Sequence, residues 1–189
     1  MSPEGPRLAV VSSSMSPTSR SRVGALACAD AIRAAGGEAD FLDLAEIQLL
    51  AYPRSGDDPA LLDLVERFNA ADGWVVATPT YNFGPSGTLL TFLHYALGSD
   101  RGAKWRPFVI LTSLAGLRTA MSTDGLARTI LHERAAVQVG PPLLMTAADL
   151  DSESGAVTSF FGDRIDGQMA ALVAYAQAWR TSLRTDDEE

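Results

Sequence analysis

Apolar residues along this 189-residue chain alternate between short unbroken runs and longer, periodic ones. Runs at residues 8–11, 41–44, 74–78 and 108–111 carry almost no polar interruption, so they predict short strands, those at 8–11 and 74–78 buried on both faces. From about residue 21, Val23, Leu26, Ala27, Ala31 and Ile32 recur at three- and four-residue intervals, which predicts a helix that Gly36-Gly37 ends. Pro59 opens a second helix, striped by Leu61, Leu62, Leu64, Val65 and Phe68. Helical spacing returns at 88–97, 123–136 and 165–183, with a fifth strand expected around 137–145, interrupted by Pro141-Pro142. Residues 45–58, with Tyr52, Pro53, Ser55 and Gly56, read as a long surface loop. The acidic end, from about residue 184 to 189, reads as a frayed tail.

Five strands alternating with five helices predict a parallel sheet with helices on both faces, a three-layer α/β/α sandwich forming one domain over residues 1–189. Right-handed crossovers bring the loops after strands one, three and four to one edge of the sheet. With strand order 2-1-3-4-5, the switch point lies between the first and third strands, where ligands of such sheets collect. No internal repeat or linker divides the chain.

Charge narrows the function classes. A net charge of -8 argues against a nucleic-acid surface or an anionic-membrane binder. Arg7, Arg20 and Arg22 cluster in sequence near the first turn, so a local positive potential suited to an anionic ligand is expected there. The amino-terminal stretch lacks the basic and apolar regions of a signal peptide, and no run is apolar for about eighteen residues, so a cytoplasmic location is expected. Cys28, the single cysteine, excludes an internal disulfide and lies at helical spacing among apolar residues, as a buried thiol would.

Candidate chemistry concentrates in the first loop. Residues 12–22 read Ser-Ser-Ser-Met-Ser-Pro-Thr-Ser-Arg-Ser-Arg, between a strand and a helix. Hydroxyl donors, free backbone N–H groups and the positive end of a helix dipole then converge, and such a point binds phosphate. Neither the dinucleotide fingerprint nor the P-loop is present, so a single monophosphate fits better. A second polar loop, 79–87, follows the third strand, and a third, 113–116, follows the fourth.

Two stretches carry a resemblance: Ser14-Met-Ser-Pro-Thr-Ser19-Arg20-Ser21, and the run from Asp72 to Leu89 that includes Ala77-Thr-Pro-Thr-Tyr81 and Ser86-Gly87. Together they resemble the NAD(P)H-dependent FMN reductases of the flavodoxin-like fold, nearest to the members that supply reduced flavin to sulfonate monooxygenases. The resemblance implies that Ser14, Ser19, Arg20 and Ser21 bind the FMN phosphate. It implies that Pro79, Thr80, Tyr81 and Asn82 lie along the isoalloxazine with backbone amides facing its polar edge, and that Ser113, Leu114, Ala115 and Gly116 form a third wall. The chain departs from the pattern at Ser13, where the family has glycine, at Leu90 and His94, where it has Lys and Asp, and at the third loop, which has only Gly116 of the usual glycine pair.

Other chemistries find little support. His94 and His132, the only histidines, have no partner at metal-ligand spacing; the serines near Gly87 and Gly116 are not in a nucleophile elbow, which argues against a hydrolase. The expected protein is therefore an NAD(P)H:FMN oxidoreductase with no acid–base catalytic residue, because hydride transfer belongs to the cofactors. Reduced flavin would pass to a partner monooxygenase or to a second acceptor such as a quinone, azo compound or chromate. A reductase that retains FMN for one specific substrate, whether a quinone, azo compound, chromate or a biosynthetic intermediate, is the alternative, with a flavodoxin-type electron carrier as a third reading. The resemblance further implies a homodimer or homotetramer.

Overall fold

The computed structural model describes residues 5–50, 52–53, 57–99, 105–116, 119–120 and 122–186. β1 (Arg7–Ser12), α1 (Arg20–Ala34) and β2 (Glu38–Asp43) are followed by α2 (Pro59–Ala70) and β3 (Gly73–Tyr81). After a two-residue strand, β4 (Gly84–Pro85), come α3 (Gly87–Ser99), β5 (Pro107–Ser113) and α4 (Ser122–Arg134). β6 (Val137–Gln138), β7 (Leu143–Met145) and α5 (Ser159–Asp186) complete the order.

The sheet runs β2-β1-β3-β5, with β6 and β7 both parallel to β5 as one interrupted fifth strand. Its order is the flavodoxin-like one expected, and the break falls at Pro141-Pro142, where missing N–H groups prevent a continuous ladder. β4 runs antiparallel, folding back on the end of β3. Strand residues divide by parity between two cores. Leu8, Val10, Val75, Ala77, Val109 and Leu111 pack beneath α1 and α5, with Cys28, Phe161 and Met169. Ala9, Val11, Trp74, Val76, Phe108 and Ile110 pack beneath the other helices, where Trp74 stacks on Phe68 at 4.9 Å and donates its indole N–H to the Phe68 carbonyl.

Register aligns the ends of the strands. Ser12 pairs with both Asp43 and Ala77, and Ser113 pairs with both Pro79 and Met145, so the exits of β1, β3 and β5 reach the same edge. Gly24 lets α1 sit close at this edge: a Cβ there would stand 2.8 Å from Leu111 Cδ1 and 3.1 Å from Met145 Sδ.

Several boundaries differ from expectation. β3 continues through Pro79 to Tyr81, because β4 supplies a partner after β1 has ended. β2 begins at Glu38, three residues early, since Arg7 and Arg67 hold Asp40 on an edge strand that looks polar in sequence. α5 starts at Ser159 rather than near 165 and runs to Asp186; Gly162, Gly167 and the exposed Phe160 had blurred its period. Residues 51, 54–56, 117, 118, 121 and 187–189, which include parts of the long loop and the acidic end, lie outside the described residues.

Candidate functional site

At the shared edge the first loop, the end of β3 and the third loop enclose an open cleft of about 390 Å³, within the range of ordinary ligand sites. Its walls are Ser14, Ser16, Thr18, Ser19 and Arg20 from the first loop, Pro79, Thr80 and Tyr81 from β3, and Ser113 and Ala115 beyond β5.

The first loop is held by its own hydroxyls. Ser14 Oγ accepts from the Ser16 amide at 3.3 Å, Ser16 and Thr18 hydroxyls lie 3.3 Å apart, and the Ser19 amide donates to the Ser16 carbonyl. Ser13, at the position where glycine was expected, turns away from the cleft and stitches the two main loops together. Its hydroxyl donates to the Ala77 carbonyl at 3.0 Å and accepts from Ser86 Oγ at 2.9 Å. Ser86 in turn accepts from the Leu89 amide, capping α3, and its own amide donates to Thr78 Oγ1.

The start of α1 is unusual. Ser19 stands at the N-cap yet makes no side-chain cap, its hydroxyl lying 2.9 Å from that of the buried Ser21 instead. The first turn carries no acid and begins Arg20-Ser21-Arg22. Cations at the positive end of a helix dipole are unfavourable unless an anion sits among them. Arg22 is already neutralised, its Nε donating to Asp43 at 2.8 Å. Arg20 is not: its terminal nitrogen donates to the Leu114 carbonyl at 3.1 Å, which ties the third loop to the first. Arg20 Nε is buried without a hydrogen-bond partner, and so is Ser12 Oγ at the end of β1. Uncapped amides, hydroxyls and an unsatisfied guanidinium fit a phosphate dianion, held with charge-assisted hydrogen bonds.

Eight expected residues, Ser14, Ser19, Arg20, Pro79, Thr80, Tyr81, Ser113 and Ala115, thus come together. Ser21 supports Ser19 from the buried side, and Leu114 contributes its backbone while its side chain is core. Gly116 accepts from Thr119, and Asn82 is exposed on the turn beyond Tyr81. Tyr81 and Thr80 pair with Gly84 and Pro85 across the β3–β4 ladder. Ser16 and Thr18 were not singled out individually, although they lie inside the hydroxyl-rich run. Arg7 does not belong to the local positive cluster: it begins β1, at the opposite end of the strand, and pairs with Asp40.

A parallel sheet that reverses its order between β1 and β3, with a cleft of hydroxyls and arginine at that reversal, defines a flavodoxin-like mononucleotide-binding protein. The family model for NADPH-dependent FMN reductase matches residues 6–151, and the chain belongs to that family. It is an oxidoreductase, and its cofactors are FMN and NAD(P)H. Among solved structures, it is similar to an oxidoreductase from Corynebacterium diphtheriae, at 22% identity and a TM-score of 0.73, covering 93% of this chain and 98% of that one. FerB, a flavoenzyme NAD(P)H:(acceptor) oxidoreductase from Paracoccus denitrificans, matches at 17% identity and TM-score 0.71, with 92% and 98% covered. The apo form of the NADH:FMN oxidoreductase EmoB matches at 19% and 0.72, with 89% of each chain covered. At these identities the likeness is one of fold.

Proposed function

We propose that the cleft binds FMN phosphate-first, with Ser14, Ser19 and Arg20 on the phosphate and Pro79 to Asn82 and Ser113 to Gly116 flanking the ring, and that reduced flavin serves an acceptor outside this chain. The observation that carries this reading is the start of α1: a first turn without an acid or a side-chain cap, beginning with an arginine whose buried Nε lacks a partner. Held there by Ser14, Ser19 and Arg20, FMN would supply the hydride-transfer chemistry. The chain positions and shields. Ser13 and Ser86 lock the first and second loops at a fixed separation, Arg20 fixes the third against the first, and Tyr81 presents an aromatic face at the mouth. With no catalytic acid or base to supply, the protein acts through placement and backbone dipoles.

Two destinations for the electrons remain within this reading: a flavin-dependent monooxygenase that receives released reduced FMN, or a second acceptor reduced on the protein. The open cleft, walled on three sides only, supports exchange with the solution. NAD(P)H as donor implies a cytoplasmic reaction. No helix among the described residues is long and apolar enough to cross a membrane.

Leu90, Leu93, His94 and Leu97 recur at helical spacing on α3, and His94 and Leu97 share a second cleft of about 380 Å³ with Tyr52, Thr129 and Glu133. Tyr52 at this cleft and Leu90 on α3 are exposed, which supports burial of this region against another copy in a homodimer.

The test is oxidation of NADPH by the purified protein with free FMN. Rapid turnover at micromolar flavin is expected; no turnover with NADPH or NADH would leave the electron carrier as the better reading.

A further inference from the structure

Thr112 stands where the sheet calls for an apolar side chain. On β5 it alternates onto the face of Phe108 and Ile110, which pack with Trp74 and Val76 beneath α2, α3 and α4, and it is fully buried. Valine has a similar shape, suits a buried strand as well and carries no polar atom to satisfy, so the hydroxyl has a use beyond packing. Its partner shows which. In the register Thr112 pairs with Thr78, whose own hydroxyl accepts from the Ser86 amide and donates to the Pro79 carbonyl. Thr112 reaches past it to the Thr80 hydroxyl, 2.9 Å away and two residues further along β3. Parallel pairing of β3 with β1 ends at Ala77 and with β5 at Pro79, so Thr80 is the first residue beyond both neighbours. Its partner across the hairpin is Pro85, which has no N–H to give. Thr80 is half-buried and lines the cleft. The two hydroxyls therefore tie the buried core to the cleft wall at the point where strand pairing gives out.

We infer that Thr112 is a positioning residue for the ring end of the flavin site, acting through Thr80. This rests on the reading that the cleft holds FMN with its ring against the end of β3. A threonine side chain is stiff about its first torsion, and a hydroxyl bonded to a fully buried partner selects one of its staggered positions. The wall that Thr80 forms is then set before a ligand arrives, which lowers the ordering cost of binding. Either hydroxyl can donate in the pair, and the tie is the same in both cases. Being fully buried, Thr112 meets no ligand itself. Its influence falls on the ring and not on the phosphate, because Ser14, Ser19 and Arg20 stand on the first loop, across the cleft from β3.

The experiment is fluorescence titration of FMN and of riboflavin with wild-type protein, Thr112→Val, Thr112→Ser, Thr80→Val and the double variant carrying both valines. Thr112→Val is expected to weaken both flavins by the same factor, roughly three- to tenfold, as one neutral hydrogen bond supports, leaving their ratio untouched. Thr112→Ser restores the affinity. Because Thr112 acts through Thr80, the double variant binds no more weakly than Thr80→Val alone. A residue that serves the fold only would lower the urea midpoint and leave both affinities where they were. Unchanged affinities in Thr112→Val overturn the proposal, as do losses that add in the double variant, a serine that fails to restore binding, or a loss confined to FMN. Should Thr112→Val fail to fold, Thr80→Val at the half-buried cleft wall carries the test: equal losses for the two flavins, restored by Thr80→Ser, support the tie, and unchanged affinities overturn it. Wild-type protein that binds neither flavin removes the reading of the cleft and this inference with it; wild-type protein that binds FMN, with indifferent Thr112 variants, removes this inference alone.

Discussion

In the proposed reading, Arg20 is one side chain that serves both the scaffold and the ligand. One terminal nitrogen secures the Leu114 carbonyl while the buried Nε has no partner. Replacing Ser19 and Arg20 together by Ala is expected to weaken FMN binding by 10- to 100-fold, on the order of one or two charge-assisted hydrogen bonds, as fluorescence titration would read. Gly24 answers to packing alone. Gly24→Ala places a methyl 2.8 Å from Leu111 Cδ1, and should destabilise by about 1–3 kcal/mol in urea unfolding. Cys28 is inert for an equally local reason. Burial, with a smaller contribution from Asp166, pushes its thiol up to about 12, so the folded protein should resist thiol reagents near neutral pH and react fully once unfolded. Its burial was legible from the Ala-Leu-Ala-Cys-Ala run, whereas the buried stitching by Ser13 was not: a serine in glycine's place says nothing of the direction its hydroxyl takes.

Elements were legible where an apolar period spoke for itself, as in α2 behind Pro59 or the core of β5. They were misjudged where a tertiary partner made the decision. β3 extends only because β4 returns to meet it, and the polar start of β2 is strand only because arginines satisfy Asp40. That ion cluster carries a pH dependence. Burial raises the Asp40 carboxyl, but hydrogen bonds and charge from Arg67 and Arg7 outweigh it and hold the pKa below the usual value. A depressed carboxylate stabilises the fold above the unfolded-state pKa, and the benefit disappears as pH falls through the folded one. Asp40→Asn should therefore be less stable than wild type at neutral pH, with the gap closing below about pH 4; urea midpoints at both ends of that range measure it. A gap independent of pH would assign the loss to packing instead.

For the whole molecule, the parallel sheet and the meeting of three loops followed from alternation and crossover hand, because those rules act on topology and not on side-chain detail; the strand order was taken as the flavodoxin-like one. Arg7 was misplaced by the same sequence view: it stands close to the first loop in number, yet a whole strand separates it from the cleft. The account as a whole depends on phosphate recognition at the start of α1, and comparing FMN with riboflavin tests that most directly, since the two differ only by the phosphate. Fluorescence titration of wild-type protein should show FMN bound on the order of 100-fold more tightly, as two or so charge-assisted hydrogen bonds provide, with the difference collapsing when Ser19 and Arg20 are both alanine. Equal affinity of the wild type for the two flavins would contradict it.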